Sequence, residues 1–215
     1  MPVFDDGLKA TELPTTNYVE TDVVVVGSGP AGASAALALS RLGISNIMLT
    51  KYRWTANTPR AHITNQGAME VFRDLGVEEQ VLQDATPHDK MGDTVFCTAI
   101  AGEELGRILT WGTGPKREGD YIQASPTLNC DIPQTYLEPI LVKNAAAAGT
   151  QARFSTEYLS HTQDDDQVIV RALDRLDGRE FEIRAKYLIG ADGARSLIIS
   201  SSTCRWRARW TSPAP

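Results

Sequence analysis

The chain has 215 residues, of which 42% are hydrophobic and 22% are charged, so it is long and apolar enough to bury a sizeable core. Its formal net charge of −6 argues against nucleic acid or an anionic membrane as a partner, because both bind surfaces rich in Lys and Arg. A small molecule is therefore the expected partner.

The three cysteines, Cys97, Cys130 and Cys204, are far apart and form no Cys-x-x-Cys pair. Neither a disulfide framework nor a zinc site is indicated. The residues before the first apolar run are acidic, unlike the basic start of a secretory signal. We expect a cytoplasmic protein without a bound metal.

The first apolar run, Val23 to Val26, predicts a strand that is covered on both faces of a parallel sheet. The run continues to Leu39, but glycines and Pro30 interrupt it, which argues against a membrane span. We predict a helix over Ala33 to Leu42, ended by Gly43, and a second strand over Asn46 to Thr50.

The turn between this first strand and helix reads Gly-Ser-Gly-Pro-Ala-Gly, the pattern G-x-G-x-x-G. Gly27 permits the tight turn, Gly29 lets a pyrophosphate approach the backbone, and Gly32 lets the helix pack on the strand. The helix N-terminus adds free N–H groups for the anion. The turn therefore predicts a dinucleotide site formed by Gly27, Ser28, Gly29, Pro30, Ala31 and Gly32.

The acidic residue that normally follows the second strand and binds the adenosine ribose is absent, because no Asp or Glu lies between Gly32 and Glu70. Thr50, Lys51 and Arg53 occupy that region instead. Two interpretations stay open: a changed ribose contact or 2′-phosphate site that uses Lys51 and Arg53, or two solvated basic residues at a strand end.

The middle of the chain alternates short helical and extended patterns. A helix is expected between Asp131 and Ala148, where Pro139 either kinks it or marks a late start. The other predictions are helices over Ala68–Leu75 and Glu78–Ala85, and strands over Thr94–Ile100 and Gly106–Thr110.

From Gln151 to Tyr187 apolar and polar residues alternate with a period of two, and Asp177-Gly178 gives a turn signal. This pattern predicts a half-exposed antiparallel meander. The next strand ends in Gly-Ala-Asp-Gly, and Asp192 at the carboxyl end of a strand either reaches the same crevice as Gly29 or forms a plain turn.

Three separated stretches, DVVVVGSGPAGASAALALSRLGI, TPRAHITNQGAMEVFRDLGV and KYLIGADGARS, resemble in order and spacing the FAD-dependent aromatic hydroxylases, the single-component flavoprotein monooxygenases. The stretches KYRWTANTPRAHITNQ and CDIPQTYLEPILVK are similar to phenol hydroxylases of the 2,4-dichlorophenol 6-monooxygenase kind. The resemblance covers about residues 19 to 196.

The resemblance implies FAD as cofactor, NADPH or NADH as co-substrate, O2, and a small phenolic substrate, possibly chlorinated, that is hydroxylated through a flavin C4a-hydroperoxide. The resemblance is also compatible with homo-oligomers among full-length relatives. Its fold would be α/β: a Rossmann-like FAD-binding domain with an inserted antiparallel β-meander, C-terminally incomplete.

Residue by residue, the resemblance places the glycine turn on the FAD pyrophosphate and Arg60 on the phosphates or the nicotinamide donor. It assigns further cofactor contacts to Thr50, Lys51, Gln66, Gln134, Asp192 and Gly193. His62 falls where some phenol hydroxylases carry a carboxylate beside the substrate, so it is either a base for the phenolic proton or a loop histidine with a backbone partner.

After Ser196 the composition changes, with three arginines, two tryptophans and no acid in residues 197–215. We expect 1–18 to be an N-terminal extension, 19–196 a partial FAD-binding domain, and 197–215 an aberrant, disordered tail of a truncated frame. An Arg/Trp tail that binds a membrane or an anion is the alternative.

Three rival functions stay open. The first is a truncated, catalytically inactive nucleotide-binding fragment. The second is a flavoenzyme of the disulfide-reductase type, which the absent Cys-x-x-Cys disfavours. The third is an NADP-binding reductase that uses Lys51 and Arg53, against which the Arg60 loop and the Asp192 motif weigh.

Overall fold

The structure, a computed structural model, describes residues 18–114 and 117–201. Most of the predicted N-terminal extension, the end of the predicted tail and Cys204 lie outside the described residues. The strands are β1 Tyr18–Glu20, β2 Val23–Val26, β3 Asn46–Leu49, β4 Ile63–Thr64, β5 Thr94–Cys97, β6 Glu104–Ile108, β7 Cys130–Asp131, β8 Gln151–Arg153, β9 Thr156–Gln163, β10 Val168–Asp174, β11 Glu180–Ala185 and β12 Tyr187–Gly190. The helices are α1 Pro30–Arg41, α2 Gln66–Asp74, α3 Glu78–Gln83, α4 Glu118–Ala124, α5 Gln134–Ala147 and α6 Leu197–Ser201, with a 3-10 turn at His88–Lys90.

A parallel sheet in the order β12-β2-β3-β8 forms the centre of the molecule. All four valines of β2 are buried, because Val23 and Val25 pack on the helix side and Val24 and Val26 on the opposite side. The expected strand covered on both faces is therefore confirmed.

The first helix begins at Pro30, three positions before its predicted start at Ala33. Pro30 occupies the first helical turn, where its missing N–H is tolerated, so the second half of the glycine motif belongs to the helix. Gly43 follows the last turn with φ +74°, as a C-terminal glycine should. The motif is thus shared between turn and helix.

The expected helix between Asp131 and Ala148 is α5, which runs through Pro139. Pro139 does not mark a late start, because it lies near the beginning of the helix and only one early carbonyl loses its N–H partner. The helix begins at Gln134 rather than at Asp131, since Cys130 and Asp131 pair with β4 as strand β7.

The opposite face of the parallel sheet is covered by a second sheet in the order β1-β11-β10-β9. Strands β9, β10 and β11 form the predicted antiparallel meander, and Gly178 in its turn has φ +77°. One boundary was wrong: β8 joins the parallel sheet, and the chain changes sheets at Ser155, which has φ +51°. Val170 and Ile183 pack against Val24 and Ile47 in the core between the sheets.

The ends of the described chain are more ordered than the sequence predicts. Tyr18, assigned to the extension, begins β1, and the first residues of the expected disordered tail form α6. Between residues 18–114 and 117–201, no helix is long and apolar enough to cross a membrane.

Candidate functional site

At two glycines of the turn after β2, backbone contacts leave no room for a side chain. Gly27 has φ +111°, and a Cβ placed there would lie 2.1 Å from the carbonyl oxygen of Ala191. A Cβ on Gly32 would lie 1.9 Å from the carbonyl oxygen of Gly27. Both positions need glycine for packing, as the motif predicts.

Gly29 differs from Gly27 and Gly32 because a Cβ at its position would make no close contact. The nearest atom there is Oε1 of Glu138, at 3.8 Å. Gly29 is also the N-cap of α1, so no side chain caps the helix, and its first turn contains no acid. The free N–H groups of that turn can therefore donate to an anionic ligand.

Ser28 and Ala31, two other predicted site residues of the turn, differ in their exposure to solvent. Ser28 is buried, whereas Ala31 is exposed on the first turn of α1. The Gly27 N–H donates to the carbonyl oxygen of Leu49 at 2.8 Å, which sets Thr50 beside the turn. Thr50 is buried, and the exposed Lys51 follows it.

The Asp192 segment reaches the same sheet edge. The Ala191 N–H donates to the carbonyl oxygen of Val26 at 2.8 Å, so the end of β12 lies against the glycine turn. The Asp192 carboxylate accepts from the Leu197 N–H at 2.8 Å and caps α6. Gly193 has φ +84° and is exposed. The backbone before Asp192 therefore lies beside the glycine turn, while the Asp192 carboxylate contacts the start of α6.

His62 contacts a side chain that the sequence did not single out. Its Nδ1 lies 2.8 Å from Oδ1 of Asp131, across the two-stranded pairing of β4 and β7. The His62 side chain is 59% exposed and that of Asp131 25%. The two side chains are therefore within hydrogen-bond distance and stay accessible to a ligand.

A cleft of about 240 Å³ lies next to this pair. Pro30, His62 and Gln134 line it together with apolar side chains such as Phe72 and Leu137. Three predicted site residues from separate motifs therefore share one concave surface. A depression of about 310 Å³ on the meander contains no predicted site residue.

Arg60 precedes this histidine in an exposed loop. Among the described residues no acidic side chain pairs with Arg60, so its guanidinium is free for an anionic ligand. Lys51 and Arg53 are exposed in the same way.

Gln66, for which the resemblance implies a cofactor contact, makes hydrogen bonds within the protein. Both hydrogens of its amide are used within the protein, because Nε2 donates to the carbonyl oxygens of Tyr121 and Thr127 at 2.9 and 2.8 Å. Gln66 thereby fastens the segment after α4 to the start of α2. Its amide hydrogens are not available to a ligand.

Two site residues escaped the sequence interpretation, Asp131 and Glu138. Asp131 was taken as the start of a helix, so its strand pairing with the His62 segment was hidden. Glu138 is only 4% exposed and lies four residues after Gln134 on a helix face that continues with the buried Leu141 and Ala145. The sequence signal that could have identified Glu138 is an acidic residue four positions after Gln134 on an otherwise apolar helix face.

Cys130 lies at the same β4–β7 pairing and is buried. Burial, together with the charge of Asp131, raises the pKa of the Cys130 thiol to about 11. At pH 8 only about one thiol in a thousand would be the reactive thiolate.

In a Cys204→Ser variant we therefore expect the exposed Cys97 to react with a thiol reagent at pH 8 at least about 100-fold faster than Cys130. Mass spectrometry of the labelled peptides over time measures both rates, and unfolding in denaturant should remove the difference. Equal rates in the folded chain would contradict the burial of Cys130.

A family model described as an FAD binding domain matches residues 20–208, which is most of the chain and extends beyond residue 196, where the resemblance was expected to end. Phenol 2-monooxygenase from Pseudomonas sp. (strain EST1001) is 68% identical over 197 residues, which are 91% of this chain and 32% of that protein. 2,4-Dichlorophenol 6-monooxygenase from Cupriavidus pinatubonensis (strain JMP 134 / LMG 1197) is 58% identical over 85% of this chain and 30% of that protein.

Solved structures agree with this comparison. The flavin-dependent monooxygenase PieE, in complex with FAD and substrate, has a TM-score of 0.81 and 46% identity over 85% of this chain and 32% of its own. The rebeccamycin biosynthetic enzyme RebC with reduced flavin has a TM-score of 0.75 and 29% identity over 85% and 34%. The chain spans about a third of the length of the curated relatives it matches.

Proposed function

This chain belongs to the FAD binding domain family, and from that premise we propose that it holds the FAD of an O2-dependent phenol hydroxylase that uses NADPH or NADH as electron donor. The two phenol-hydroxylating relatives, at 68% and 58% identity, support a small phenolic substrate. NAD(P)H as a donor agrees with the cytoplasmic location expected from the sequence.

The observation that carries this proposal is the convergence of separate motifs at one edge of the parallel sheet. The glycine turn touches the end of β12 at Ala191, and its α1 end shares a cleft with His62 and Gln134. Ligands of open α/β sheets bind at such an edge, beyond the carboxyl ends of the strands.

The residues present fit FAD. The open position at Gly29 gives a pyrophosphate access to the backbone, and the uncapped start of α1 offers it N–H donors. Gly27, Gly29 and Gly32 would hold the pyrophosphate, with Arg60 near the phosphates. Gln134, Asp192 and Gly193 would bind the remaining parts.

When bound, FAD supplies the redox chemistry that side chains lack, by taking electrons from NAD(P)H and activating O2. The chain's own contribution would include a base. A neutral imidazole at His62 can accept the phenolic proton and make the ring more electron-rich. Asp131 would fix the tautomer of His62 by accepting from Nδ1 and leave Nε2 as the acceptor.

The test is the visible absorption spectrum of the purified chain after incubation with FAD and removal of free FAD. A retained flavin band and NADPH oxidation that rises on adding phenol are expected. A folded but colourless protein would refute the proposal.

A second candidate is a nucleotide-binding fragment without hydroxylase activity. It is favoured by one observation, the 32% of the relative's length that the chain covers. Retained FAD together with no phenol-dependent NADPH oxidation and no hydroxylated product would support this candidate.

If His62 is the base, Asp131→Asn should lower phenol hydroxylation about three- to tenfold, because an amide holds the imidazole less firmly than a carboxylate. FAD retention should stay unchanged. Product formation by liquid chromatography is the measurement, and Asp89→Asn, at an exposed acid in the 3-10 turn, is the matched control. Equal losses in both variants would count against the His62–Asp131 pair.

A further inference from the structure

Glu138 is a buried carboxylate without a cationic partner. Its residue is 4% exposed, and within residues 18–114 and 117–201 no Lys, Arg or His side chain forms an ion pair with it. Burial of a charge is costly unless hydrogen bonds compensate for the lost water. The partners of Glu138 therefore indicate what it does.

Three segments of the candidate site meet at this carboxylate. Oε2 accepts from the Ala56 N–H at 2.5 Å, in the loop that leads to Arg60. Oε1 accepts from Nε2 of Gln134, in the first turn of α5. The same Oε1 lies 3.8 Å from the Cβ position of Gly29. Glu138 thus joins the Arg60 loop, the start of α5 and the glycine turn.

The contact between Glu138 and Gln134 determines which end of the Gln134 amide is free. An ionised carboxylate can only accept, so the NH2 group of Gln134 must face Glu138. Oε1 of Gln134 then remains as an acceptor, and none of the described residues donates to it. Gln134 also lines the cleft beside Pro30.

We propose that Glu138 is a positioning residue, which holds the amide hydrogens of Gln134 so that Gln134 Oε1 accepts a hydrogen bond from a hydroxyl group in the sugar or polyol part of FAD. This inference rests on the proposed function, because it needs FAD at the glycine turn. Glu138 would then affect FAD binding only through Gln134.

Glu138→Gln separates this role from the anchoring of the loop. A glutamine can still accept from the Ala56 N–H, but its own NH2 group can face Gln134 and let that amide turn over. FAD binding by Glu138→Gln should be about five- to tenfold weaker than by the wild type.

A double-mutant cycle with Gln134→Met tests the mechanism, with FAD dissociation constants measured by flavin fluorescence. If Glu138 acts through Gln134, the double variant should bind like Gln134→Met alone. Asn144→Ala is the control, because Asn144 lies farther along α5 and donates to Gln80 on α3. This variant should change FAD binding less than about twofold. Losses that multiply in the double variant, or unchanged binding by Glu138→Gln, would overturn the inference and leave the proposed function intact.

A wild type that binds no FAD would overturn the proposed function, and this inference with it. A second measurement needs no Glu138 variant, and so holds even if that variant fails to fold. In the nitrogen-15-labelled wild type, the Gln134 side-chain amide, identified by its loss in Gln134→Met, should be protected from exchange before FAD is added. Protection that arises only with FAD would mean that Gln134 donates to the cofactor, contrary to the proposal.

Discussion

Replacement of Gly27 by alanine should destabilise the chain by about 3 kcal/mol or more and abolish FAD retention. The backbone at Gly27 has φ +111°, a conformation that L side chains rarely adopt. The added Cβ would also lie 2.1 Å from the carbonyl oxygen of Ala191, a backbone atom that cannot move without shifting β12. Urea unfolding followed by circular dichroism measures the loss.

Gly43→Ala is the matched control for this variant. Gly43 also has a positive φ, +74°, but no heavy atom lies within 4 Å of its Cβ position. It should lose only the conformational part, about 1–2 kcal/mol, and keep FAD. Equal destabilisation of the two variants would show that the contact between Gly27 and Ala191 is not as tight as the structure has it.

Gly29→Ala should leave the fold intact and weaken FAD binding about 10- to 100-fold. Its backbone is extended, with φ −65° and ψ 178°, so alanine fits without strain. The new methyl group would meet only Glu138 Oε1 at 3.8 Å, an ordinary contact. It would occupy the space through which a pyrophosphate approaches the backbone.

The measurement for Gly29→Ala pairs an FAD titration with a thermal melt. The Tm should stay within a few degrees of the wild type, since no buried contact is lost or strained. Gly43→Ala, at the opposite end of α1, is the control for FAD affinity and should bind FAD like the wild type. Wild-type FAD affinity in Gly29→Ala would remove the glycine turn from the cofactor site.

The glycine turn and its flanking elements were predictable because their signals are local. Four valines, a glycine pattern and an alanine-rich helix lie within one continuous stretch, and each residue's role follows from its neighbours in sequence. The meander was predictable for the same reason, since its period of two and its Asp-Gly turn are visible in a short window.

Pairings between distant residues could not be obtained in this way. The contact of His62 with Asp131 depends on β4 and β7, two-residue strands too short to leave a periodic pattern. The place of β8 in the parallel sheet depends on Ser155, whose positive φ no local propensity predicts. Gln66 was assigned through resemblance, and its amide hydrogens went to carbonyl groups far along the chain.

The position of β12 beside β2 has a consequence for the order of events during synthesis. The two strands are also linked by Lys186 and Asp22, which are 164 residues apart in sequence. At ordinary translation rates β12 leaves the ribosome on the order of 10–30 s after β2. Through that interval one edge of a strand made of four valines has no neighbour, which is a template for aggregation. Pairing of β2 with β3 covers only the opposite edge, so we expect the nascent chain to need a chaperone at the open edge until β12 arrives. The glycine turn gains its contact with Ala191 only after that point.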